Sequence, residues 1–364
     1  MSQHASFSTR PRPLARYGWD DAHEHAFAPH HAAGLIPARI VRAERGLCEA
    51  VTDLGNVRAE VPAAQQGDPL AAPCTGDWAA LRPATTGHAA MLHAVLERRT
   101  AVVRSTASRT SHGQILAANV DTVVVAVSLA APLKHDRTER MLTLAWESGA
   151  QPVVVLTKAD EAADAASAQA EVSAVAPGVD VLVTSAVTGE GLDVLTAVLT
   201  GTVVLLGPSG AGKSTLGNAL LGEPLLATGA VRATDGKGRH TTAWRELLPL
   251  PGGGVLLDTP GLRSIGLHDA QGGLEQTFAD IQDLAQDCRF TDCAHVSEPG
   301  CAVLAAVEAG TVPERRLESY HRLLRENAYA ASRTDARLRA DREAAKKDIT
   351  RHLRATYRFR ERQQ

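Results

Sequence analysis

The pattern of apolar and polar positions changes at about residue 119. Before that point, short runs of strand-forming residues alternate with Gly and Asp turns, and they cover residues 38–43, 47–52, 56–62, 77–83 and 100–105. Five short strands between residues 34 and 104 predict a small β-barrel of the OB type, a common oligonucleotide-binding module. A β-domain that only spaces its neighbours is the alternative, because Trp78 is the lone aromatic residue in these runs and base stacking needs aromatic side chains.

After residue 119 the chain alternates between continuous apolar runs and helical stretches. The apolar runs cover 119–129, 151–158, 179–186 and 201–207, and helices are predicted at 134–148, 161–175 and 190–198. Apolar strands without polar alternation predict a parallel sheet buried on both faces. A later pair of runs, 240–250 and 255–261, predicts a hairpin across a PGGG turn.

Helical periodicity dominates beyond Gly273, where one helix face collects Leu317, Tyr320, Leu323 and Leu324. Residues 1–33 are rich in His, Pro and Ala and lack lasting periodicity, so they predict a mostly disordered arm. A solvated tail is favoured over a metal site formed by His23, His25, His30 and His31. The patterns divide the chain into an arm at 1–33, a barrel at 34–104, an α/β domain at 105–273 and a helical domain at 274–364.

Composition adds one asymmetry to this picture. The 364 residues are 44% hydrophobic and 22% charged, as in an ordinary globular protein, and the net charge is −3. Residues 311–364 hold 15 Lys and Arg against 8 Asp and Glu, which indicates a polyanionic partner such as nucleic acid, or a solvated charged helix. The first thirty residues carry no secretory signal, and the longest apolar run, 122–133, is too short to span a bilayer. We therefore expect a cytoplasmic protein without membrane contact.

A phosphate-binding loop is predicted at 207–214, GPSGAGKS, between an apolar strand and a helix. Its glycines allow backbone N–H groups to point at phosphates, and the helix N-terminus adds a favourable dipole. Lys213 is expected to reach the β- and γ-phosphates as a catalytic charge, and the Ser214 hydroxyl to bind Mg²⁺. The predicted nucleotide contacts of this loop are Gly207, Pro208, Ser209, Gly210, Ala211, Gly212, Lys213, Ser214 and Thr215.

The sequence TKAD at 157–160 indicates that the nucleotide base is guanine. The Asp160 carboxylate can accept hydrogen bonds from both the guanine N1–H and its amine, a donor pair that adenine lacks. Lys158 would lie along the base plane, and Thr157 stands where Asn is usual, which weakens the predicted hydrogen bond to the ring. The alternative is that Asp160 only caps a helix beginning at Glu161.

Two further strand ends complete the predicted site. The TSA sequence at 184–186 suits a backbone N–H contact to guanine O6, or a simple turn, and its predicted contacts are Ser185 and Ala186. The DTPG sequence at 258–261 places Asp258 near Mg²⁺ and the backbone N–H of Gly261 near the γ-phosphate. Alone it would indicate no more than a turn.

A switch segment is predicted at 236–247, between the phosphate loop and DTPG. Either Thr241 or Thr242 is expected to bind Mg²⁺ and to order the segment when GTP is bound. Leu262 stands where Ras-type GTPases place a Gln that orients water, so another side chain must take that role. His240 is the catalytic candidate, and an exposed loop histidine is the alternative.

A metal site is predicted further along the chain. Its ligands, in a C-x4-C-x-H-x5-C spacing, are Cys288, Cys293, His295 and Cys301. Three thiolates and one imidazole form a closed tetrahedral set, which is typical of structural zinc and leaves no position for a catalytic water. In a cytosolic protein such a cluster favours a metal over disulfides.

The order of the motifs is unusual, because the base-recognition sequence TKAD precedes the phosphate loop. In the order TKAD, TSA, GPSGAGKS, GRHTT and DTPG, followed by CRFTDCAHVSEPGC, and with GDW upstream, the chain resembles the RsgA (YjeQ) family of GTPases that depend on the small ribosomal subunit. The resemblance implies a multi-domain protein with an OB domain, a circularly permuted α/β P-loop GTPase domain and a small α-helical zinc-binding domain. It also implies slow intrinsic GTP hydrolysis, a role for His240, and stimulation by the subunit during its late maturation.

The expected function is therefore a GTP-hydrolysing ribosome assembly factor. Its expected partners are GTP or GDP and the small subunit with its rRNA, its expected cofactors are one Zn²⁺ and Mg²⁺, and it is expected to be monomeric. A nucleotide-gated binding module that barely hydrolyses GTP is one alternative, because of Leu262. A P-loop enzyme acting on a small molecule is another, which Asp160 opposes.

Overall fold

A β-barrel forms the first large unit of the computed structural model, which describes residues 13–104, 114–226, 246–258 and 270–334. Its strands are β1 (Ile36–Glu44), β2 (Leu47–Thr52), β3 (Gly55–Glu60), β4 (Trp78–Arg82) and β5 (Ala90–Val95). The barrel closes in the order β1-β2-β3-β5-β4, with β3 and β5 parallel and the other pairs antiparallel. The predicted OB-like barrel is thus confirmed.

The prediction that residues 100–105 form a barrel strand is wrong. The run 100–105 contributes β6 (Ala101–Arg104), which leaves the barrel and pairs with β7 (Gln114–Ala118) in a separate two-stranded sheet. The fifth barrel strand is β5, which the hydrophobic pattern did not single out. It alternates buried and exposed residues, with Ala90 and Leu92 in the barrel core.

Residues 13–33 are ordered, so the prediction of a mostly disordered arm is wrong for them; residues 1–12 lie outside the described residues. A 3-10 helix (Pro13–Tyr17) leads to α1 (Asp21–Ala32), whose first turn is capped by the Asp20 carboxylate accepting the His23 N–H at 2.8 Å. Trp19 packs edge-on against Trp78 of the barrel and the His23 ring lies tilted against it, with ring centroids 5.0 and 4.8 Å away. Aromatic contacts therefore hold this segment to the barrel.

The second unit is a sheet of six strands, as predicted from the apolar runs. The strands are β8 (Thr122–Ser128), β9 (Gln151–Thr157), β10 (Asp180–Val183), β11 (Thr202–Leu206), β12 (Glu246–Pro249) and β13 (Val255–Asp258). Their order is β10-β9-β8-β11-β13-β12, and all pairs are parallel except the β12–β13 hairpin. Adjacent valines of β8 enter different cores, Val123 on one face and Val124 on the other, so the sheet is buried on both faces.

Helices cover both faces of the sheet: α2 (His135–Glu147), α3 (Ala165–Ser173), α4 (Leu192–Val198) and α5 (Lys213–Leu221). A short 3-10 helix (Ala159–Glu161) follows β9. Four more helices complete the described chain: α6 (Gln271–Thr277), α7 (Ala279–Ala285), α8 (Ala302–Glu308) and α9 (Glu314–Thr334). The helix α6 runs through the predicted domain boundary at 273/274 and packs on α2. None of the helices in the described ranges is both long and apolar enough to cross a membrane.

The GDW sequence at 76–78 connects the barrel to β7 and to the six-stranded sheet. A side chain at Gly76 would overlap the backbone carbonyl of Ala118, so the close approach requires glycine there. Asp77 is fully buried and forms a two-pronged ion pair with Arg98, at 2.6 and 2.8 Å. The ring of Trp78 lies 4.3 Å from the Arg39 guanidinium, whose Nη2 also donates to the hydroxyl of Thr202 at the start of β11.

A buried charge cluster joins α2 to the C-terminal helices. Arg316 of α9 is 1% exposed and donates to the Glu139 carboxylate of α2 at 2.9 Å. The same guanidinium makes two 2.6 Å hydrogen bonds to Asp280 of α7. Beside it, Gly273 of α6 packs so closely on α2 that a side chain there would overlap the backbone carbonyl of Thr143. The C-terminal helices are therefore anchored on α2 by charge and by close packing.

Candidate guanine-nucleotide and metal sites

The predicted nucleotide motifs meet at one edge of the sheet. Because β9, β10, β11 and β13 run parallel to one another or to β8, their carboxyl ends lie on the same side. TKAD ends β9, TSA follows β10, the phosphate loop follows β11, and Asp258 is the last residue of β13. Ligands of open α/β sheets bind at this edge, so the topology brings the motifs together where a nucleotide would be expected.

The phosphate loop is a tight turn between β11 and α5. A side chain at Gly207 would come within 2.8 Å of the Ala126 carbonyl oxygen, and Gly212 has a φ of +78°, a backbone conformation that favours glycine. The first residue of α5 is Lys213, whose Nζ donates at 2.8 Å to the carbonyls of Gly207 and Pro208. The ammonium group is therefore held over the loop, and Ser214 follows in the first turn of the helix.

Thr157 connects the base-recognition motif to the phosphate loop. Its side-chain oxygen donates a hydrogen bond to the Ala211 carbonyl at 2.8 Å and lies 3.4 Å from the Val127 carbonyl. The residue is 4% exposed. The sequence predicted a weak contact between Thr157 and the base ring, whereas in the structure its hydroxyl is directed to the loop backbone.

Asp160 is positioned by Ser185, which the sequence also assigns to the site. The buried Ser185 hydroxyl donates to Asp160 Oδ1 at 2.5 Å. The Ser185 N–H donates to the Glu190 carbonyl at 3.0 Å, which leaves the Ala186 N–H as the candidate donor to guanine O6. The helix after TKAD begins at Ala165 and is capped by Asp164, so Asp160 does not cap it.

Lys158 also adopts a distinctive conformation. Its φ of +63° turns the chain sharply after β9, and its Nζ lies 3.3 Å from Glu161 Oε1.

The predicted residues His240, Thr241, Thr242 and Gly261 lie outside the described residues, as does Leu262. Their predicted roles stay predictions.

The predicted metal ligands converge between α7 and α8. One ligand atom from each of Cys288, Cys293, His295 and Cys301 lies within 4.8 Å of all the others. The Cys288 and Cys301 sulfurs are 3.8 Å apart, and His295 Nδ1 lies 3.7 and 3.3 Å from them. His295 has a φ of +58°, in the left-handed region that is uncommon for residues other than glycine, and its ring faces the sulfurs. This compact group of three thiols and one imidazole can hold a metal ion.

Glu298 and His321 support this cluster, and sequence reasoning had assigned neither. The Glu298 carboxylate accepts the N–H groups of Val296 at 2.8 Å, of Ser297 at 3.0 Å and of Ala294 at 3.0 Å. These hydrogen bonds, led by the one from Val296, lower the pKa of Glu298 to about 2. His321 of α9 contacts the Ala294 carbonyl at 3.0 Å. The SEPG turn was the available signal, because a carboxylate there can reach the preceding N–H groups.

Comparison with known proteins identifies the family. The family model described as RsgA GTPase matches residues 95–268. A protein of Streptomyces coelicolor named small ribosomal subunit biogenesis GTPase RsgA is 58% identical over 344 residues, which cover 93% of this chain and 92% of that protein. The chain belongs to the RsgA family. A second RsgA, from Lactiplantibacillus plantarum, is 45% identical and covers 81% of this chain and 84% of its own length.

Solved structures agree with this assignment. YjeQ from Thermotoga maritima superimposes with a TM-score of 0.60 at 26% identity, covering 80% of this chain and 98% of that one. YloQ, titled a circularly permuted GTPase, has a TM-score of 0.56 at 24% identity, covering 82% of this chain and 96% of its own, and supports the fold alone. The predicted RsgA resemblance and circular permutation are confirmed.

Proposed function

We propose that this chain binds the small ribosomal subunit and hydrolyses GTP to GDP and phosphate during late subunit maturation. The observation that carries the proposal is the convergence of the Asp160–Ser185 pair and the phosphate loop on one sheet edge. Asp160 supplies the selectivity for guanine, since its carboxylate would be left unpaired by adenine. The printed names of the RsgA relatives supply the subunit and the biogenesis role.

Each part of the site has a role in this proposal. The loop N–H groups and the N-terminus of α5 bind the phosphates, and Lys213 neutralises charge that develops on them. Ser214, Asp258 and one of Thr241 or Thr242 would hold Mg²⁺, which supplies further charge neutralisation. His240 is proposed to orient or deprotonate the attacking water, because Leu262 cannot.

The metal cluster is proposed to hold one structural Zn²⁺. Tetrahedral zinc with Zn–S bonds of about 2.3 Å requires sulfurs about 3.8 Å apart. The Cys288–Cys301 separation of 3.8 Å matches this requirement. Four protein ligands close the coordination sphere, so the ion would stabilise the segment between α7 and α8 and take no part in hydrolysis. We further propose that the protein acts as a monomer in the cytoplasm.

The decisive experiment measures GTP turnover by the full chain with and without purified small ribosomal subunits. We expect the subunits to accelerate turnover, and Lys213→Ala to abolish tight GTP binding. Asp160→Asn should lose the preference for GTP over ATP while keeping the phosphate loop intact. Absence of stimulation at low salt, or equal affinity of the wild type for ATP and GTP, would refute the proposal.

A nucleotide-gated binding module is the second candidate, favoured by Leu262. Single-turnover hydrolysis on the subunit separates it from the first, because a catalytic His240 makes the wild type faster than His240→Ala. Equal and near-zero rates for both would favour the gate.

A further inference from the structure

The end of the phosphate loop depends on a side chain from another strand. Ala211 and Gly212 are the last two loop residues, and the N-cap of α5, Gly212, has no side-chain hydrogen bond to its helix. The Ala211 carbonyl accepts the Thr157 hydroxyl at 2.8 Å across 54 positions of the chain. Ala211 is 1% exposed and Thr157 is 4% exposed, so this hydrogen bond is shielded from water.

Thr157 also lies beside the turn at Gly212. A side-chain carbon built on Gly212 would lie 3.5 Å from Thr157 Oγ1 and 3.6 Å from its Cβ, which is ordinary contact distance. The threonine therefore bounds the space beside Gly212, and it bonds the carbonyl of the residue before it. Both residues lie immediately before Lys213, the residue that carries the charge of the loop.

We propose that Thr157 is a positioning residue for the phosphate loop and makes no contact with the base. Its hydroxyl holds the Ala211–Gly212 end of the loop against β9, so that the segment carrying Asp160 and the segment carrying Lys213 move as one unit. This inference rests on the proposed function, because it deepens the role of the same nucleotide site. It assigns the first residue of the base-recognition motif to the phosphate half of the site.

The expected effect follows from the burial of the Ala211 carbonyl. Removing the donor leaves a buried acceptor unpaired in the conformation that binds phosphate. Thr157→Val preserves the shape and removes the hydroxyl, and we expect it to weaken GDP and GTP binding by about 10-fold each, or ~1.4 kcal/mol. Thr157→Ser keeps the hydroxyl, and we expect its affinities to stay within about twofold of the wild type.

Equilibrium binding of GDP and of 7-deaza-GDP by the full chain tests the assignment. The second ligand lacks N7, the ring nitrogen that could accept a hydrogen bond from a hydroxyl near the base. If Thr157 positions the loop, the loss caused by Thr157→Val is the same for both ligands. If its hydroxyl contacts the ring, the loss disappears with 7-deaza-GDP, and the proposal is overturned.

Two controls separate this inference from simpler failures. Thermal unfolding of the nucleotide-free variants reports whether the valine protein folds; if it does not, Thr157→Cys offers a much weaker donor in similar space, with the same expected direction. Unchanged GDP affinity in the folded valine variant would also overturn the proposal. A wild-type chain that binds no guanine nucleotide would instead refute the proposed function itself, and the inference with it.

Discussion

Arg316→Met tests whether the buried charge cluster anchors the C-terminal helices on α2. The substitution keeps a long side chain over the Phe278 ring, 4.8 Å from the guanidinium, and removes the charge. It leaves Glu139, which is fully buried, without its 2.9 Å partner. Breaking a buried ion pair by removing one partner typically costs about 3–5 kcal/mol, because the remaining charge stays buried.

Two features place the expected loss at the lower end, about 3 kcal/mol. Arg315 Nη1 lies 3.6 Å from the same Glu139 oxygen and can partly replace the lost charge. The Asp280 side chain is 35% exposed, so water can solvate its freed carboxylate. A matched control is Arg322→Met, whose ion pair with Asp136 is about half exposed on both sides and should contribute less than about 1 kcal/mol.

Urea denaturation of the full chain, followed by circular dichroism, measures the two losses of stability, and hydrogen exchange in α6 and α9 locates them. The double variant Glu139→Gln/Arg316→Met should recover part of the single variant's loss, because the buried charge is gone. The reasoning is refuted if Arg316→Met stays within about 1 kcal/mol of the wild type, or if the double variant is less stable than the single one.

Three further predictions concern packing, pH and metal. Gly273→Ala should destabilise the α2–α6 contact by about 1–3 kcal/mol, whereas Gly272→Ala, with 3.7 Å to its nearest neighbour, should be neutral or stabilising in the same denaturation assay. Burial lowers the pKa of His23 below 6.5, so the unfolded chain binds the proton more readily and the stability of the fold falls as pH drops below about 6.5. Proteolysis of the N-terminal segment should therefore accelerate below this pH. The acceleration should be smaller in His23→Gln, and His25→Gln is the control. Treatment with a metal chelator, or Cys301→Ser, should raise hydrogen exchange in α7–α9 and leave the six-stranded sheet protected; simultaneous loss of sheet protection would contradict this prediction.

The barrel shows which strands the hydrophobic pattern predicts correctly and which it does not. Four of its strands coincide with predicted runs, because each is a short run bounded by turn-forming residues such as Gly and Asp. The run at 100–105 has higher β-propensity than Ala90–Val95, yet the second segment closes the barrel. Propensity reports that a strand forms and not which strand it pairs with. The alternation of buried Ala90 and Leu92 with exposed Met91 and His93 was the missed signal.

The N-terminal segment was missed for a different reason. Its composition resembles a disordered tail, but Trp19, just before α1, and His23 and Phe27 within α1 recur every four residues. These side chains pack against the barrel, where Trp78 lies 5.0 Å from Trp19 and 4.8 Å from His23. A partner 50 or more positions away cannot be deduced from local composition.

Sequence was more informative about the nucleotide site, because each motif is short and follows the strand that positions it. The loop glycines, Asp160 and the four metal ligands were all assigned from spacing alone. The hydrogen bond from the Thr157 hydroxyl to the Ala211 carbonyl could not be predicted in the same way, since it spans 54 positions of the chain. Likewise the Arg316–Glu139 pair spans 177 positions and follows from no local pattern.

That long span has a consequence for how the chain is made. Translation completes α2 early, but the helix that neutralises Glu139 is the last one described, Glu314–Thr334. The nascent chain can therefore complete the strands and loops of its nucleotide site before α9 packs on the outer face of α2. A ribosome that stops before residue 314 would release a molecule with a nearly complete nucleotide-binding half and an open, charged flank, which quality-control proteases could attack.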